Sequence, residues 1–149
     1  MIISFEFDGV IVRDDTRAFD DIETPLELIP GATLTLKSMR RAGHTLLLYS
    51  DRANRALRVD PRLDPLVTAG VIKVDPVLWK EQQGFYESRY QEMLAFVLAH
   101  LPGVFHAIDD GLQGKPVVDL HIDAKALAFR QSGWPGLMQC FGYRTRRVR

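Results

Sequence analysis

The first twelve residues, Met1-Ile-Ile-Ser-Phe-Glu-Phe-Asp-Gly-Val-Ile-Val12, constrain the fold more than any other stretch. An apolar run ends in two carboxylates one residue apart, Glu6 and Asp8, and Gly9 follows at once. Side chains alternate along a strand, so the spacing predicts both carboxylates on one face at the strand's C-terminal end. Gly9 permits a sharp turn and a close approach of a ligand to the backbone. In open α/β sheets, ligands bind outside these carboxyl ends. The plainer alternative is an N-terminal core strand with a polar exit.

The next elements repeat that grammar. Pro30-Gly31 opens a helical stretch from Ala32 to Ala42, with Gly43 as its stop and Arg40 and Arg41 in its last turn. His44 to Tyr49 is a continuous apolar run, as expected of a strand buried on both faces, and it ends in Ser50-Asp51-Arg52. Strand, helix, strand in this order predicts a parallel sheet with right-handed crossovers. Pro61 and Pro65 break the following segment into short helical pieces. Gly70 to Val74 reads as a short strand, residues 75–85 as a loop, and Tyr86 to Leu101 as a helix stopped by Pro102-Gly103. Further strands are expected over Val104–Ile108, ending in Asp109-Asp110, and over Val117–Ile122, ending in Asp123. A last helix is expected from Ala124 to Gln131.

Composition narrows the class. At 149 residues, 46% hydrophobic and 26% charged, the chain reads as one globular domain over residues 1–149. No stretch is apolar enough for a membrane span or shaped like a signal peptide, and the lone Cys140 excludes an internal disulfide, so the expectation is a cytoplasmic protein without a membrane partner. Net charge is zero but uneven. Four arginines (Arg144, Arg146, Arg147 and Arg149) crowd the last six residues, and 15 bases face 19 acids elsewhere. Such a tail can grip nucleic-acid phosphates or simply be a solvated terminus, and no recognised nucleic-acid motif accompanies it. Residues 14–27 hold six acids against Arg17, which argues against a bulky polyanionic substrate if that loop faces the site.

Glu6, Asp8, Ser50, Asp123 and, just upstream of the last strand, Lys115 make a coherent chemical kit. Carboxylates at strand ends suit Mg²⁺, and a hydroxyl with an ammonium suits a phosphoryl group. In this light the sequence resembles the haloacid dehalogenase (HAD) superfamily. Phe5-Glu-Phe-Asp-Gly-Val10 is similar to its first motif, Leu46-Leu-Leu-Tyr-Ser50 to its second, Gly114-Lys-Pro116 to its third and Asp119-Leu-His-Ile-Asp-Ala-Lys-Ala126 to its fourth. The resemblance runs in order from residue 2 to about 126. It implies a Rossmann-like three-layer α/β sandwich with a mainly parallel sheet and little or no cap.

The resemblance also implies phosphoryl transfer through an acyl phosphate, with Mg²⁺ as cofactor and a small phosphorylated molecule as substrate. By position, residue 6 is the nucleophile, Asp8 the general acid/base, and Ser50 and Lys115 the phosphate ligands, while Glu6, Asp8 and Asp123 hold the metal. Two positions depart from the family pattern: Glu6 stands where the nucleophilic Asp is expected, and Ala124 where a second motif-four Asp is expected. An extra methylene moves the attacking oxygen by about 1 Å, enough to cost roughly 10²-fold. The expectation is therefore a HAD-type phosphohydrolase with an impaired or inactive site. The alternative is a non-catalytic module that binds a phosphorylated ligand, a protein or nucleic acid. Asp109-Asp110, with Lys80 upstream, offers a second candidate for motif four. Arg52 is placed either to contact phosphate or to form a structural salt bridge.

Overall fold

The computed structural model describes residues 1–13, 17–18, 20–125, 133–135 and 137. Four parallel strands form one sheet in the order β3-β2-β1-β4, where β1 is Ile2–Phe5, β2 Thr45–Leu48, β3 Ala107–Ile108 and β4 Leu120–Ile122. Helix α1 (Ala32–Arg41) joins β1 to β2. Two short helices, α2 (Arg55–Arg58) and α3 (Pro65–Thr68), and the long α4 (Pro76–His100) lie between β2 and β3. The arrangement is a Rossmann-like α/β fold.

Register sorts the side chains. Ile3 pairs with Leu46 and Leu120, and Phe5 with Leu48 and Ile122, so these residues share one face. Ile3, Phe5, Leu46, Leu48 and Ile122 are all buried in a core completed by Leu36 and Met39 of α1 and by Tyr90, Met93 and Val97 of α4. Trp134 closes it. Its ring stacks on Phe5 at 5.8 Å and its indole N–H donates to the Val10 carbonyl at 2.8 Å. The opposite face is more polar. There the Ser4 hydroxyl meets His121 Nδ1 at 2.7 Å, and Tyr49 packs its ring against that imidazole.

Several expectations are corrected. Residues 75–85 are not a loop: α4 starts at Pro76, because Asp75 caps the helix by accepting from the Val77 and Leu78 N–H groups and proline occupies the first turn. This first half has no clean apolar stripe because it docks polar-to-backbone, with Trp79 Nε1 donating to the Leu57 carbonyl and Gln83 to the Arg58 carbonyl. Gly70–Val74 forms no strand. Gly70 turns the chain with φ +73°, and Val71 is 71% exposed, so no neighbouring strand satisfies this stretch. The strands expected over 104–108 and 117–122 are reduced to Ala107–Ile108 and Leu120–Ile122. The short helical pieces around Pro61 and Pro65 are present as expected, each capped by an aspartate, Asp60 and Asp64. The expected helix beyond Lys125, Cys140 and the arginine-rich tail lie outside the described residues.

Replacing Trp134 with alanine removes a fully buried ring and its hydrogen bond, and is expected to cost roughly 3–5 kcal/mol. Urea unfolding monitored by circular dichroism measures it. A loss below about 1 kcal/mol would show that the Phe5 face closes without Trp134.

Candidate functional site

The strand ends are level. Phe5 is in register with both Leu48 and Ile122, the Glu6 N–H donates to the Ile122 carbonyl at 2.9 Å, and the Tyr49 N–H donates to the Phe5 carbonyl at 2.9 Å. Glu6 therefore sits between the exits of β2 and β4, with Asp123 directly after the latter. The central place of β1 makes this meeting possible.

β1 stops short of both carboxylates, and they part company. The Phe7 carbonyl accepts from the N–H groups of Ile11 and Val12, at 2.9 and 3.1 Å, and Gly9 turns with φ +76°. Asp8 is thus in a tight turn, while Glu6 stays at the sheet edge.

Glu6 turns to Asp123 and to the backbone N–H of Ala124. Burial, reinforced by the neighbouring Asp123 carboxylate, pushes its pKa up to about 7. Its Oε2 is buried with no hydrogen-bond partner. Asp123 is held below the usual carboxylate range, first by the Lys125 N–H at 2.7 Å. Of the two carboxyl groups, Glu6 is the one whose surroundings favour its protonated form and Asp123 the one whose surroundings favour the anion.

Asp8 faces the other way, into a charge network. Arg52 Nε donates to Asp8 Oδ2 at 2.8 Å and Nη2 to Oδ1 at 2.7 Å, a bidentate fork that engages both oxygens. The same guanidinium donates to Glu92 Oε2 at 3.0 Å and to the Arg89 carbonyl at 3.1 Å, and lies 5.1 Å from the centre of the Phe7 ring. Arg17 completes the set with a second fork on Glu92, at 2.7 and 2.8 Å. Burial raises the cost of ionising Glu92, yet the two guanidinium groups outweigh it and hold its pKa below the ordinary value. Of the two roles open to Arg52, the salt bridge is the one it occupies. Glu92 and Arg17 had no distinctive spacing in the sequence; only the docking of α4 against the β1 turn brings them in.

Ser50 is buried, and its Oγ accepts from the Arg52 N–H at 3.2 Å. It lines a cleft of about 350 Å³ with Tyr49, Asp51, Asn54, Asp109 and Gln113. Lys115 is exposed between Gly114, which lines that cleft, and Pro116. After burial, its charge is the next cause holding the His121 pKa down. Asp109 follows the edge strand β3 and accepts from the Gly111 N–H at 2.8 Å; burial raises its pKa. It lies on the Ser50 side of the cleft, one strand further from Glu6 than Asp123 is. Lys80 is on α4, 6.0 Å from the centre of the Trp79 ring.

Mg²⁺ fits part of the set expected to hold it. Glu6 and Asp123 form a close carboxylate pair with an unpartnered buried oxygen, which a hard cation would satisfy. The Asp8 side chain has both oxygens committed to Arg52, and no group of three potential ligands is gathered among the described residues.

No protein-family model matches the chain, and no curated protein matches it. A conserved protein of known structure from Bacteroides thetaiotaomicron is similar over 85% of this chain and 78% of its own, with 22% identity and a TM-score of 0.39. That likeness is too loose to bear on function. Among the described residues no helix is long and apolar enough to cross a membrane.

Stability should report the raised pKa of Glu6. Between pH 4.5, the ordinary glutamate value, and about 7, the folded protein keeps a proton at Glu6 that the unfolded chain releases. In chelator-treated buffer the unfolding free energy is expected to fall as pH rises through that window. Glu6→Gln flattens the slope and is the more stable form at pH 8 by about 1 kcal/mol, a modest figure because the site is partly open to solvent. Identical pH slopes for the two proteins would mean that Glu6 is ionised throughout.

Proposed function

We propose that the chain is a HAD-like protein with a degenerate Mg²⁺-dependent phosphohydrolase site for a small phosphorylated molecule. The four motif-like segments support this reading, together with the positions of Glu6, Ser50 and Asp123 just beyond the adjacent strands β1, β2 and β4 of one parallel sheet. The observation that carries the word degenerate is the Arg52 fork on Asp8. A general acid must present a proton to the leaving group, and a carboxylate with both oxygens engaged by a buried guanidinium has neither a proton nor a free edge to offer.

In this reading the Ser50 hydroxyl and the Lys115 ammonium receive the phosphoryl oxygens. A cation held by Glu6 and Asp123 would offset phosphate charge beside Asp51, Asp64 and Asp109, which leave the cleft rim acidic. Glu6, turned toward Asp123 and with its pKa pushed up to about 7, is only partly ionised near neutral pH and so a weakened nucleophile, because a carboxyl attacks as its anion. Binding thus outlasts turnover. The second reading, a non-catalytic phospho-ligand-binding module, rests on the same two observations and differs only in whether residual chemistry survives.

Hydrolysis of p-nitrophenyl phosphate with excess Mg²⁺ tests the proposal. Wild type is expected to turn over slowly, Glu6→Asp to raise the rate by roughly 10²-fold by restoring the shorter reach, and Asp8→Asn to leave either rate where it stands, because the Arg52 fork already withholds that carboxylate from the leaving group. A brisk wild type indifferent to Glu6→Asp would sink the reading. Silence in every variant, with inorganic phosphate still bound, would favour the binding module.

A further inference from the structure

We propose that the cavity beside the Ser50 cleft, walled by Leu47, Tyr49, Ala107 and Pro116, is the leaving-group subsite of the phosphate site and selects an aryl phosphate over a sugar phosphate. The inference rests on the reading of the Ser50 cleft as a phosphate site and deepens it by naming the substrate class.

Chain topology explains why a cavity exists there. The path from β1 through β2 to β3 advances in one direction across the sheet, and α1 and α4, the longest helices on that path, both pack on the Phe5 face. Residues 109–119 then carry the chain back past β1 to β4 and contain no helix. A parallel sheet is ordinarily covered by helices on both faces. Leu47 is in register with Ser4 and Ala107, on the face opposite Phe5, and there the sheet meets the returning loop instead of a helix. Gln113, Gly114 and Pro116 of that loop stand off from Leu47, Tyr49 and Ala107 and leave about 290 Å³ between them.

The cavity adjoins the cleft. Tyr49, Asp109, Gln113 and Gly114 line both, and Lys115 lies in the chain between Gly114 and Pro116. A ligand with its phosphoryl group beside Ser50 therefore has the cavity as the nearest room for the rest of the molecule. The wall chemistry sets the class. No lysine or arginine lines the cavity, so a second phosphate finds no opposite charge there. Asp109 and Asp110 accept from the backbone N–H groups of Gly111 and Leu112, both at 2.8 Å, and Gln113 supplies the one carboxamide. The hydroxyls of a sugar would lie against Leu47, Ala107 and Pro116 without partners, which penalises their burial. An apolar ring gains by leaving water for the same walls. Size agrees, since a cavity of about 150 Å³ already holds a benzene ring.

Isothermal titration of the full chain in excess MgCl₂ tests this with phosphonates, which have a carbon in place of the scissile ester oxygen and report binding without turnover. Phenylphosphonate is expected to bind roughly tenfold tighter than methylphosphonate, the gain that burying one aromatic ring supplies. Ala107→Phe, at an exposed position of the edge strand β3, places a ring in the cavity and is expected to erase that advantage. The methylphosphonate affinity stays unchanged, because Ala107 does not line the Ser50 cleft. Ala107→Leu should remove part of the advantage, and it decides the matter if circular dichroism shows that the larger side chain disturbs folding. Equal affinities for the two phosphonates in wild type would overturn the subsite and leave the phosphate cleft standing, as would an advantage that survives both Ala107 variants. Tighter binding of aminoethylphosphonate than of phenylphosphonate would assign the cavity to a cationic group beside Asp109 and Asp110 and also overturn the proposal. Failure of wild type to bind any of the three would remove the phosphate reading and the subsite with it.

Discussion

A buried guanidinium organises this molecule. Taking Arg52 out of water costs several kcal/mol, and only well-aligned partners return that energy. Here the partners are Asp8, Glu92 and the Arg89 carbonyl, drawn from the turn after β1 and from the long helix α4. Removing Asp8 or Glu92 takes away part of the compensation of a buried charge. The turn after β1, the turn after β2 and the middle of α4 are therefore tied together electrostatically as well as by the apolar core. Arg17 extends the tie to the acidic stretch beyond the first turn.

This network accounts for the division of labour at the strand ends. Two carboxylates one residue apart begin with nearly equal chemistry. Glu6 remains at the sheet edge, where burial and Asp123 favour its protonated form, and Asp8 turns into a compensated ion-pair cluster. Environments that push such neighbours apart are how one scaffold produces distinct acid and base roles. In this chain the separation instead removes one of the two from the open side of the site. The cleft beside Ser50 has an acidic rim of Asp51, Asp64 and Asp109, and the exposed Lys115 follows Gly114 at its border.

Much of the fold was legible in the sequence. The unbroken run from Thr45 to Leu48 announced a strand buried among neighbours, and Pro30-Gly31 and Gly43 bracketed α1. The polar residues at apolar strand ends pointed to the edge where Glu6, Ser50 and Asp123 gather. The misread stretches share a cause: periodicity reports burial against a broad core, and residues 76–85 dock through Trp79 and Gln83 on backbone carbonyls instead. The Asp75-Pro76 cap was a local signal that outweighed the missing stripe. Gly70–Val74 shows the converse, β-branched residues at a turn with no strand beside them to complete a ladder.

The sequence by itself determined the parallel α/β class and the set of polar side chains at the strand ends, because these depend on local alternation, turn residues and chain order. It also limited the chemistry to carboxylates, a hydroxyl and an ammonium. Only the tertiary structure decided which groups pair. Glu92 is forty residues from Arg52 and eighty-four from Asp8 in the chain, and no local pattern links them. Their pairing follows from the way α4 packs across the sheet, where the low polarity of the interior makes each charge seek the nearest partner of opposite sign.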